Sequence, residues 1–124
     1  MTIEVSLAEF LDKLSILSIK LSKIKDSQKL NNIRTEYDYL ISKLENNQEI
    51  LKDKNFLDLI NINELIWKAE DDIRLYGQLN QFDERFIDVA KSIYTLNDKR
   101  ADIKKEINIK NKSVFIEEKS YDKK

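Results

Sequence analysis

Apolar residues return at three- and four-residue steps along most of this chain, and one glycine and no proline are all it has to interrupt them. That period is the one an α-helix needs to gather its apolar side chains on a single buried face. Leu7, Phe10, Leu11, Leu14, Leu17, Leu21 and Ile24 make the first stripe, and Ser6 with Glu9 three places later has the spacing of a capping box at its start. A helix is expected over about residues 7 to 25. Asp26 or Ser27 caps a second helix carrying Leu30, Ile33, Tyr37, Leu40, Ile41, Leu44 and Leu51. It should run to about residue 52, with Asn46-Asn47 as its weak point.

Asp53-Lys54-Asn55 is a polar break, after which Phe56, Leu59, Ile60, Trp67, Ile73 and Tyr76 return at helical spacing. Gly77 is placed to end this third helix, because glycine takes a left-handed cap without strain. Asp83 is placed to cap a fourth, with Phe86, Val89, Ala90, Ile93, Tyr94, Ala101 and Ile107 on its stripe up to about residue 110. Ile3-Glu4-Val5 and Val114-Phe115-Ile116 do not fit the helical period, and their β-branched and aromatic content suits a minimal two-stranded pairing of the two termini. Short links favour antiparallel neighbours, so the expected architecture is an all-α, up-down bundle of about four helices over residues 1–112, followed by a polar tail over 113–124. The stripes of the second and fourth helices exceed what one chain covers, and a homodimer built through coiled-coil-like seams is expected.

Composition removes whole classes of chemistry. The chain has no cysteine and no histidine, which excludes disulfides, thiol nucleophiles, Cys or His metal sites and serine-histidine triads. A single glycine excludes Gly-rich phosphate loops and dinucleotide fingerprints. With 22 basic against 23 acidic residues, the formal net charge of -1 gives no general attraction to nucleic acid, and the basic run Lys104-Lys105 to Lys112 lacks interleaved aromatics. Nucleic acid is therefore disfavoured as a partner. No stretch approaches the roughly 18 uncharged apolar residues of a membrane span, and a cytoplasmic location is expected. Glu9 with Asp12, and Glu64 near the Glu70-Asp71-Asp72 run, offer carboxylates at helical spacing, but charge runs of this kind usually lie on solvated faces; neither a metal nor a cofactor is expected.

What a bare scaffold would not need is a set of polar residues on faces that should be apolar. The stripe of the fourth helix turns polar after Ile93, at Asn97, Arg100 or Ala101, Lys104 and Asn108, with Asp98 beside it as a further candidate. On the third helix Asn63, Trp67, Glu70 and Arg74 share one face, and on the first Lys13 and Lys20 flank Leu17. If these faces meet, they hold more positive than negative charge, and a buried surplus of cations calls for an anionic ligand held by bidentate arginine. The competing reading is structural: Glu70 and Arg74 form an i,i+4 pair, Asp71 or Asp98 satisfies Arg100 across helices, and Trp67 is an anchor in a core or interface.

Several segments resemble one family. Ile3-Glu4-Val5-Ser6 with Asp12 to Lys20, Leu65 to Arg74, Asn97-Asp98-Lys99-Arg100-Ala101 and Glu117-Glu118-Lys119-Ser120-Tyr121 have counterparts in a group of short bacterial proteins catalogued only as a domain of unknown function. The chain departs from that group at Leu7-Ala8 and at Lys112, where the group tends to carry glycine. The resemblance implies a small cytoplasmic helical protein, with some relatives in the company of surface-polysaccharide or glycosyltransferase genes, and it supplies no reaction. The reading favoured from the residues is a non-catalytic protein-interaction or regulatory module. The alternative is an enzyme or sensor for a small anion, using electrostatics alone as helical chorismate mutases do, an analogy at the level of fold.

Overall fold

The computed structural model describes residues 2–111 and 114–118. In chain order the elements are strand β1 (Thr2–Ser6), helices α1 (Leu7–Lys23) and α2 (Ser27–Lys43), a 3-10 segment (Glu45–Lys52), helices α3 (Lys54–Gln78) and α4 (Glu84–Asn111), and strand β2 (Val114–Glu118). The all-α expectation holds, and the two terminal strands pair antiparallel, Ser6 opposite Val114 and Thr2 opposite Glu118. Residues 114–118 of the expected tail form this second strand, and the rest of that tail, Tyr121 included, lies outside the described residues.

Three of the helix starts follow from local side-chain chemistry. Ser6 Oγ accepts the Glu9 N–H at 3.2 Å, Asp26 Oδ1 accepts from Gln28 and Lys29 at 3.0 and 3.4 Å, and Asp83 Oδ1 accepts from Arg85 and Phe86 at 3.1 and 3.4 Å. The ends depart from expectation in two places. Gly77 is an ordinary helical residue; the left-handed position is taken by Asn80, with φ 55°. The Gln81 N–H donates to Tyr76 O and the Asn80 N–H to Gly77 O, closing a Schellman motif on asparagine, the other residue that tolerates this conformation. The second helix stops at Lys43, because Glu45 turns left-handed at φ 51° and the chain continues in the tighter 3-10 form, with Asn47 itself non-helical.

The core sits at one end of the bundle. Helix α1 is its axis: Leu7, Phe10, Leu11, Leu14 and Leu17 are buried against Leu40 and Leu44, against Phe56, Leu59, Ile62 and Ile66 of α3, and against Ile107 of α4. Helices α3 and α4 pack along each other as a hairpin, and α1 packs on both and on α2. The other end is different. From Glu70 to Glu106 not one residue is buried, although the stretch carries Ile73, Leu75, Tyr76, Leu79, Phe82, Phe86, Ile87, Val89, Ile93 and Tyr94. The part of the α3–α4 hairpin beyond Leu96 and Glu70 is therefore an arm that leaves the core, apolar in sequence and incompletely covered, while Leu96, Arg100, Ile103 and Lys104 still pack on the core or pair with α1.

Candidate functional site

The polar residues of the interior are gathered by α1, not around it. Asp12 lies on the buried face of α1 between Leu11 and Leu14, and is 5% exposed. Its carboxylate accepts a bidentate pair from Arg100, through Nε at 3.0 Å and through Nη2, and a third hydrogen bond from Asn63 Nδ2 at 2.9 Å. Asn63 Nδ2 also donates to Ser15 Oγ at 2.6 Å, and the Ser15 hydroxyl donates to Asp12 O at 2.7 Å. One turn away Lys104 Nζ lies 2.7 Å from Glu9 Oε1 and 3.9 Å from Asp12 Oδ2. The network closes on itself, and no buried side-chain polar atom among the described residues lacks a partner. Hydrogen bonding to Asp12 holds the Arg100 guanidinium above its ordinary proton affinity; burial opposes this, and the charges of Asp12, Glu9 and Glu70 add to it. A raised value for a base contributes stability throughout neutral pH and loses it only in strong alkali.

This geometry corrects the reading of a cationic cluster. Arg100 and Lys104 face Asp12 and Glu9, two charges against two, so the surplus that would have called for an anion is absent there. The partner of Arg100 is Asp12, neither Asp71 nor Asp98. Arg74 pairs with Asp71 at 3.0 Å, three residues back, where the sequence suggested Glu70. Lys13 turns away to Glu36 of α2 at 2.9 Å, because its position on α1 faces that helix. Lys20 is in the last turn of α1, where its charge suits the helix dipole. Asn97 Nδ2 donates to Ile93 O within its own helix, and Asp98 is exposed on α4. Asn108 has a role the sequence did not suggest: its Oδ1 accepts the free Ala8 N–H at 3.0 Å, supplying from α4 a second cap for the start of α1.

Five of the predicted residues do come together. Asn63, Trp67, Glu70, Arg74 and Arg100 line a half-open cleft of about 310 Å³ between α1 and the α3–α4 hairpin, with Ile16, Ile19 and Ile66 as its apolar wall. Arg100 is thus shared, one side bound to Asp12 and the other facing the cleft. Of the charged groups lining the cleft, Arg100 pairs with Asp12 and Arg74 with Asp71, while Glu70 acts on Arg100 through its charge without a direct ion pair among the described residues. Asp12 is the residue that sequence reasoning misplaced. The signal was an acidic residue on the apolar face of a helix, one turn before a serine on the same face.

Glu9 and Asp12, one turn apart as a metal pair would be, are both taken by cations of α4. Among the described residues no group of three or more acidic side chains is placed to hold a metal ion, and no helix is long and apolar enough to cross a membrane.

The geometry defines a small helical bundle with a closed polar network in its core and an uncovered two-helix arm. The chain belongs to a family of unknown function, DUF6165, whose model matches residues 1–124. No protein of curated function and no solved structure matches it.

Proposed function

We propose that this protein is a non-catalytic protein-interaction module whose α3–α4 arm is the docking face. One observation carries the reading: apolar side chains at helical spacing on an arm in which nothing between Glu70 and Glu106 is buried. Tyr94 is 79% exposed, Phe82 61% and Leu79 57%. A fully exposed aromatic side chain offers roughly 150–250 Å² to a partner, and monomeric proteins rarely leave such residues together in water. The polar network argues in the same direction, since its charges satisfy one another and leave no reacting group unpartnered in the core. Trp67 at the cleft and Tyr94 on the arm are the anchors, of the residue type that dominates binding energy at interfaces. A second copy of the chain is one partner, and a protein of sugar or surface-polysaccharide metabolism is the other that the resemblance suggests.

The test places a photo-crosslinking side chain at Leu79, Phe82 or Tyr94 on the arm, and at Arg34 on α2 as a control, in cells producing the protein. Adducts at the arm positions and none at Arg34 are expected, their masses identifying own chain or another protein. Equal labelling at all four positions, or none on the arm, would remove the reading.

A further inference from the structure

Helix α4 carries a second seam that its own fold does not use. Ile87, Ala90, Tyr94, Asn97 and Ala101 recur at steps of three, four, three and four, a heptad pattern on the side of α4 away from Leu96 and Ile103, which pack toward the core; the next two steps, Lys104 and Asn108, turn onto α1 at Glu9 and the Ala8 N–H, so the open seam ends at Ala101. Within that open seam all but Ala90 are exposed. One flank of this seam bears Glu84, Lys91, Asp98 and Lys105, each seven residues from the next, with signs alternating minus, plus, minus, plus. All four are exposed, and among the described residues none has an ion-pair partner within the chain.

Building on the interaction reading above, we infer that the arm's partner is a second copy of this chain, bound antiparallel through α4 about a two-fold axis between Tyr94 and Asn97. In an antiparallel pair of helices each flanking row meets the same row of its mate. Glu84 then stands against the partner's Lys105, and Lys91 against the partner's Asp98, with both contacts repeated by the symmetry. An alternating row is complementary to its own reverse, and it is the two-fold that makes one sequence serve as both halves. A parallel pair would set this row against the opposite flank and use none of it. Along the seam Tyr94 packs beside the partner's Asn97, and Ala90 beside the partner's Ala101, small against small where the helices come closest. Opposed helix dipoles favour the same sense.

The area agrees with a modest dimer. Ile87, Tyr94 and Ala101 with their flanking stems cover less than the roughly 800 Å² per partner of a standard interface, and an asparagine in the seam sets register at some cost in affinity.

The experiment is sedimentation velocity on the full chain across concentration, with three variants. Lys91→Glu alone and Asp98→Lys alone each place like charges together twice in a symmetric dimer, and each should weaken it about tenfold or more. The two together in one chain exchange the row without changing its complementarity, and should restore the wild-type constant to within about threefold. Helicity should be unchanged in all, because both side chains are exposed. A Tyr94→Cys variant of this cysteine-free chain should join to itself through a short bismaleimide, and Lys99→Cys, on the opposite side of α4, should not. A wild type that stays monomeric at about 200 μM would overturn the second copy as partner while leaving the arm open to another protein. A dimer indifferent to both single reversals, or one that the double reversal fails to restore, would overturn the register.

Discussion

Arg100→Met is expected to lower unfolding stability by about 3 kcal/mol, the low end of what breaking a buried ion pair costs. The carboxylate left behind is the reason. Asp12 is almost fully buried on α1, Arg100 supplies two of its three side-chain hydrogen bonds, and methionine returns neither a donor nor a charge. Lys104 stands 3.9 Å from Asp12 but is engaged with Glu9 at 2.7 Å, so it compensates only in part. The figure is set at the low end because the Arg100 side chain is itself 28% exposed toward the cleft, and water softens the loss. Arg100→Lys, which keeps the charge and gives up the bidentate fork, should lose less. Denaturant unfolding at a fixed protein concentration measures both. Unchanged or increased stability in the methionine variant would mean that Arg100 is retained for something other than the scaffold, and the cleft would become the place to look for it.

Leu14→Ala should cost a similar amount, about 3 to 4 kcal/mol, for a different reason. Leu14 is completely buried at the centre of α1, where it belongs to the same cluster as Leu59 of α3 and Leu44 beyond α2, and truncation leaves a cavity whose walls are held by three helices. For a domain whose total stability is on the order of 5–15 kcal/mol, either change consumes a large share. Leu75→Ala is the comparison. Half exposed on the arm, it should change the stability of the dilute chain by less than about 0.5 kcal/mol. The contrast between the two leucines maps the division between a packed base and an incompletely covered arm.

How much of this was readable in the sequence depends on how local the cause is. Ser6, Asp26 and Asp83 were identifiable as caps because each acts on N–H groups two or three residues away. The helix ends were less so. A left-handed residue after α3 had a glycine as its obvious candidate, yet the chain uses Asn80, and nothing in the residues around Glu45 marks it for positive φ. The faces of α3 and α4 were legible, and they bring Asn63, Trp67, Glu70, Arg74 and Arg100 to one cleft as their spacing implies. The charge balance was not, because it depends on which way α1 is rotated. Periodicity places Lys13 and Asp12 one residue, and so about 100°, apart, and only packing decides that Asp12 points inward and Lys13 toward Glu36. The alternating row on α4 was present in the sequence throughout, but a charge row is ordinarily a solvated face, and it gains meaning only once the structure shows that none of its members is paired among the described residues.

Hydrogen exchange of the unmodified chain at low and high protein concentration reads whether a second copy completes the arm. Amides of Glu84–Lys105 should become more slowly exchanging as concentration passes the dissociation constant, while those of Leu7–Leu17 and Leu59–Ile66, inside the core, should change little by comparison. Exchange in α4 that is the same at every concentration would contradict completion of the arm by a second copy.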